Sequence, residues 1–141
     1  MSERIGVADY QLAERRPDLI AGPRGKALSE ITLEAVLQGE VAIEDLRITP
    51  AALRRQAAVS RAAGRPTLAE NLERAAELVG VPQDVIMRTY ELLRPGRAQS
   101  ADELRAAART LRDEHGAALM AAFVEEAADA YEARGLLRRR F

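Results

Sequence analysis

Apolar residues recur along most of this chain at the three- and four-residue spacing of amphipathic helices, and only the first stretch departs from it. Residues 1 to 28 scatter Ile5, Val7, Tyr10, Leu12, Leu19, Ile20 and Leu28 with neither a 3.6 nor a 2.0 period, broken by Pro17, Gly22, Pro23 and Gly25. This pattern predicts an extended arm. Ordering backbone costs about 1 to 2 kcal/mol per residue, so such an arm either stays mobile or lies along a surface that receives its apolar side chains. The second case requires a partner.

From Ile31 the signals become helical. Thr32 can cap a short helix from Leu33 to Gln38, with Ile31 and Val36 at hydrophobic-staple positions and Gly39 closing it in the left-handed conformation. Residues 40 to 48 form a connector. Thr49 followed by Pro50 is a strong helix start, since Thr supplies a capping oxygen and the missing proline N–H costs nothing at the first helical position. That helix should run to Ala63 and stop at Gly64. Pro66 opens another, whose Leu68, Leu72, Ala75, Ala76 and Val79 form one stripe before Gly80. A further helix begins near Pro82, places Val85, Ile86, Tyr90, Leu92 and Leu93 inward, and breaks at Pro95 and Gly96.

Ser100 and Glu103 read as a capping box for a helix with Leu104, Ala107, Ala108 and Leu111 on its buried face, interrupted at His115 and Gly116. The last helix, about 117 to 134, carries Leu119, Met120, Phe123, Val124, Ala127, Ala128 and Tyr131, the broadest apolar face and the expected pillar of the core. No stretch shows strand alternation and no internal repeat is evident. The class is therefore all-α: a small helical bundle of about five to six helices preceded by an extended N-terminal arm. Residues 1–28 form the partner-binding arm and 29–141 the helical domain.

Composition narrows the function. A folded monomer of 141 residues should expose about 7,000 Å2 and bury nearly 70% of its unfolded surface, so one core fits. Much of the 48% apolar content is alanine, with two Phe, three Tyr and no Trp, so close helix contact counts for more than bulky side chains. Lys and Arg total 21 against 22 Asp and Glu, and the resulting net charge of -1 gives no general attraction to nucleic acid or anionic membrane. Protein partners suit that balance better. The cations are Arg apart from Lys26, which reflects GC-rich codon usage more simply than chosen bidentate contacts. There is no Cys, hence no disulfide framework or thiolate metal site. The opening MSERIGVADY is not a signal segment and no run approaches a membrane span, so a cytoplasmic location is expected.

Little in the chain resembles an active site. His115 is the single histidine, and its neighbours Asp113 and Glu114 do not share its helix face, so it reads as a helix-end residue rather than part of a His–carboxylate site. Metal ligation would need distant partners that nothing identifies. The carboxylate pairs Glu125/Glu126 and Glu30/Glu34 read as solvated faces, and Met120, Phe123 and Tyr131 as core. Arg138, Arg139 and Arg140, with Arg134 one turn earlier, read as a solvated tail. A helix-turn-helix DNA reader within 50 to 93 is disfavoured because Arg74 is surrounded by Glu70, Glu73 and Glu77. No catalytic, cofactor-binding or metal-binding residue is expected.

Several strings, in order along the chain, carry a family resemblance: VADYQLAERRPDLI, SEITLEAVLQGEV, EDLRITPAALRRQA, NLERAAELVGVPQDVIMRTYELLRP and AAFVEEAADAY. The sequence resembles the small (gamma) subunit of adenosylcobalamin-dependent diol dehydratase and glycerol dehydratase. The resemblance implies an (alpha beta gamma)2 heterohexamer that converts 1,2-diols or glycerol to aldehydes. It further implies that adenosylcobalamin is bound by the large (alpha) and medium (beta) subunits and not by this chain, while the small subunit packs on the large one. Gly96, Glu125 and the residues around His115 and Gly116 depart from the family pattern, which affects local contacts. Diol dehydratase small subunits commonly carry an N-terminal extension linked to microcompartment packaging, whereas this sequence starts almost at the arm; both the cytoplasm and a bacterial microcompartment stay open. The expected partner interface is Asp9, Tyr10, Leu12 and Ile20 in the arm, with Arg47, Ile48, Thr49 and Pro50 at the start of the long helices. The rival readings are an autonomous helical DNA-binding regulator and an unrelated helical adaptor.

Overall fold

The computed structural model describes residues 4–137; the run Arg138–Arg140, read above as a solvated tail, lies outside the described residues. The backbone runs through α1 (Leu12–Arg15), α2 (Leu33–Leu37), α3 (Pro50–Ala62), α4 (Pro66–Leu78), α5 (Gln83–Leu93), α6 (Ala101–Asp113) and α7 (Ala118–Arg134). Short 3-10 turns lie at Val7–Asp9, Pro17–Leu19, Leu28–Glu30 and Ile43–Leu46. Among the described residues the sheet-like pairing is a single antiparallel bridge between Ala21 and Ala27. The all-α class is observed, with the six predicted helices and a seventh, the one-turn α1. No helix among the described residues is long and apolar enough to cross a membrane.

Helix ends follow the local chemistry. Thr32 Oγ1 accepts from Ala35 N–H and Thr49 Oγ1 from Ala52 N–H, each at 3.1 Å, so both threonines satisfy a donor that the first helical turn leaves unpaired. Gly39 and Gly64 follow α2 and α3 at φ 76° and 73°, a conformation that costs a side chain with a Cβ but not glycine. Ser100 differs from expectation. Its side chain makes no capping bond, and Glu103 reaches past it to accept from Gln99 N–H at 3.0 Å. The carboxylate half of the box is present, displaced by one residue.

The described residues gather into two compact units, one as far as Ala76 and one from Glu77 onward. In the second, α6 packs along α7, and Leu104, Ala108 and Leu111 meet Ala117, Ala121, Val124 and Ala128 in a core that excludes water almost completely. Here the structure corrects the sequence reading: Leu119 is 50% exposed, Phe123 40% and Tyr90 57%. Ala121, Val124 and Ala128 recur at i, i+3 and i+7, and their small side chains let the two helix axes approach closely, while Leu119 and Phe123 turn outward and Met120 and Tyr131 pack at the edge of the core. Close packing gains dispersion energy over many short contacts, so alanine is the better core residue at this seam. Tyr131 is half-buried and donates its hydroxyl to the Leu93 carbonyl. Glu77 caps α7 from outside that helix, accepting from Leu119 N–H at 3.0 Å and Met120 N–H at 2.8 Å.

In the first unit the arm has more local structure than its unperiodic pattern predicts. Single turns are too short to show a period. Three of the 3-10 turns are closed in one way, a carboxylate accepting from the backbone N–H three residues earlier: Asp9 from Gly6 at 2.9 Å, Glu30 from Ala27 at 2.7 Å and Asp45 from Ala42 at 2.9 Å. The arm is also tied to the long helices of its unit, because Arg55 on α3 donates to the Leu19 carbonyl at 2.6 Å.

Candidate interaction surface

Asp45 organises the region where the arm meets the connector. It is only 4% exposed, and a buried carboxylate is costly unless its oxygens are paired and hydrogen-bonded. Arg24, 21 residues earlier, supplies both requirements with a fork: Nε donates to Oδ1 at 2.7 Å and Nη2 donates to Oδ2, which also accepts from Ala42 N–H. The Arg24 hydrogen bonds first, and the Ala42 N–H second, hold the Asp45 carboxyl down at about 2. Gly22 completes the junction. A Cβ there would lie 2.5 Å from the Asp45 carbonyl oxygen, so only glycine lets the two backbone segments pass this closely.

Around this clamp the expected interface residues fall into two concavities that share Ile20 as a wall. Tyr10, Leu12 and Ile20 line one of about 490 Å3, closed on the other side by Ala52, Val59, Leu68 and Leu72. Ile20, Arg47, Ile48 and Thr49 line another of about 240 Å3, together with Leu28, Ile31 and Leu46. The two halves of the expected set, from the arm and from the α3 junction, are thus brought together. Tyr10 is 68% exposed and Ile48 49%, with Arg47 open to solvent. Asp9 and Pro50 line neither concavity. Asp9 closes its own 3-10 turn and lies 3.7 Å from Arg16, and Pro50 starts α3.

Sequence reasoning missed Arg24, Gly22 and Arg55. A pairing across 21 residues leaves no local spacing to read, and a glycine needed for close approach looks like one needed for a turn. His115 follows the end of α6 as expected, half-buried. No group of three or more His, Cys, Asp or Glu among the described residues could hold a metal ion.

The arm, the Arg24–Asp45 clamp and both apolar concavities belong to the first unit, and comparison with known proteins gives the class. The family model described as Dehydratase small subunit matches residues 5–138, and the chain belongs to that family. Among its relatives, the propanediol dehydratase small subunit of Citrobacter freundii is 46% identical over 132 residues, 94% of this chain and 76% of that protein. The propanediol dehydratase small subunit of Salmonella typhimurium is 46% identical over 137 residues, 97% of this chain and 79% of that one.

Proposed function

We propose that this chain is the non-catalytic small subunit of an adenosylcobalamin-dependent diol dehydratase, with propanediol as the favoured substrate class and glycerol as the related one. It docks on the large subunit through Asp9, Tyr10, Leu12 and Ile20 of the arm and Arg47, Ile48, Thr49 and Pro50 of the α3 junction, and it supports assembly with the medium subunit into an (alpha beta gamma)2 heterohexamer. The location that goes with this reading is the cytoplasm, free or within a bacterial microcompartment. The observation that carries the proposal is 46% identity to propanediol dehydratase small subunits over nearly the whole chain.

The described residues do not fit the cofactor. A concavity of about 490 Å3 with apolar walls has the size of a drug-sized ligand site, far below a corrinoid with its nucleotide tail, and the lone His115 lies elsewhere, after α6. We therefore assign the cofactor and the dehydration chemistry to the larger subunits and derive no chemical step on this chain.

Coexpression with the large and medium subunits, purification through a tag on the large one, and an adenosylcobalamin-dependent diol-to-aldehyde assay test the reading. Stoichiometric recovery of this chain, with activity that falls when it is omitted, is the expected result. Failure to copurify sinks the proposal.

A further inference from the structure

The stretch from Ala27 to Leu46 has a composition unlike the rest of the molecule. No Lys or Arg occurs between Lys26 and Arg47, although the chain carries 21 such residues, while Glu30, Glu34, Glu40, Glu44 and Asp45 all fall there. Asp45 is buried against Arg24, which leaves four exposed carboxylates in a run, residues 27–46, that has no cation of its own before Arg47 closes it. Of the fifteen large apolar side chains exposed among the described residues, six lie in this same stretch. Leu37 is 78% exposed, Leu33 68%, Ile43 66% and Leu46 58%.

These residues are ordered, not loose. Leu33 and Leu37 sit one turn apart on α2, and Ile43 and Leu46 stand i, i+3 on a 3-10 turn, where side chains eclipse. The N–H groups of Glu40 and Val41 both donate to the Ala35 carbonyl, tying the connector to α2. The Asp45–Arg24 fork fixes the far end. Apolar side chains grouped in this way on a rigid segment mark an interaction site, and rigidity before binding removes part of the ordering cost of association.

We infer that α2 and the Ile43–Leu46 turn form an apolar docking ridge with an acidic rim, and that it fits a hydrophobic face of the large dehydratase subunit bordered by Lys or Arg. The inference rests on the small-subunit reading above and adds the chemistry of the partner surface. Charge complementarity decides the occupant: a second copy of this chain would bring Glu34, Glu40 and Glu44 against the same carboxylates, and like charges across an interface are repulsive. In a complex with the large subunit the apolar residues supply residence time and the carboxylates supply steering and register.

The test is competition during assembly. Large and medium subunits are coexpressed with untagged wild-type small subunit and a tagged variant, and the ratio of the two small subunits in the purified complex is measured at 0.1 M and 0.5 M NaCl, both working values. Leu37→Ser/Ile43→Ser should be depleted at least tenfold at both salt concentrations. Glu34→Lys/Glu40→Lys/Glu44→Lys should be depleted at least tenfold at low salt and less at high salt. Because every substituted side chain is exposed, the helical circular dichroism of each variant should match wild type, separating docking from folding. Equal incorporation of either variant overturns the inference while leaving the small-subunit reading intact; loss of wild-type copurification overturns that reading itself. A wild-type chain that dimerises alone, and becomes monomeric as Leu37→Ser/Ile43→Ser, would assign the ridge to a second copy and likewise overturn the inference.

Discussion

Gly22 and Asp45 show how much of the first unit depends on single atoms. With a Cβ only 2.5 Å from the Asp45 carbonyl oxygen, Gly22→Ala forces backbone apart and should destabilise the chain by about 1–3 kcal/mol in urea unfolding. Gly6→Ala, where a Cβ meets nothing within 4 Å, is the matched control and should change little. The Asp45 carboxyl is held at about 2, below its ordinary value of 3.8, by Arg24 first and the Ala42 N–H second. A group depressed in the folded state stabilises it above the unfolded pKa and loses that contribution as pH falls through the folded value. Wild type should therefore unfold at higher temperature than Asp45→Asn at neutral pH, and the gap should narrow as pH drops from about 4 towards 2. A gap that is constant across this window would mean that the Arg24 fork contributes through packing rather than charge.

At the level of whole elements, the α6–α7 seam sets leucines of α6 against small residues of α7. Leu104 is fully buried, and Leu104→Ala should cost about 2–5 kcal/mol. Leu119, on the helix expected to be the core pillar, is half exposed, so Leu119→Ser should stay within about 0.5 kcal/mol. Ala121→Leu, by contrast, overfills a site with no exposure and should cost about 1–3 kcal/mol. Thermal or urea unfolding of the three variants distinguishes a seam built on alanine from one built on leucine. Glu77→Ala removes the acceptor for two N–H groups at the start of α7 and should cost about 1 kcal/mol, a loss at a helix end that no residue of that helix would reveal. The helices themselves were legible because their signals are local: Thr32 and Thr49 mark starts by capping hydrogen bonds, and Pro50, Pro66 and the glycines at 39 and 64 mark ends by conformational preference. Which of the apolar residues of α7 turn inward was not, since they spread over more than one face beside its acidic positions and the choice belongs to α6. The same distinction applies at the interaction surface, where Tyr10, Ile20 and Ile48 stand out as apolar residues without a periodic face, whereas the Arg24–Asp45 fork exists only after residues 21 apart have met.

For the whole molecule, the question is what the arm does once it is already folded. Its unperiodic sequence suggests a segment waiting for a partner, yet Arg55 holds the Leu19 carbonyl, and Tyr10, Leu12 and Ile20 wall a concavity with α3 and α4 residues of their own unit. Both are compatible if the arm is ordered in advance, so that docking loses less conformational freedom. Truncation separates the roles, provided the cut is placed with care. Removing residues 1 to 25 would also remove Arg24 and leave the buried Asp45 unpaired, confounding binding with unfolding. A cut after Arg15 takes away Asp9, Tyr10 and Leu12 while sparing Leu19, Gly22 and Arg24. In a complex coexpressed with the larger subunits, that shorter deletion should retain the helical spectrum with a small loss of thermal stability, and it should be outcompeted by full-length chain for incorporation. Incorporation at parity with wild type would confine docking to the α2–α3 side of the first unit and leave the arm a structural brace for it.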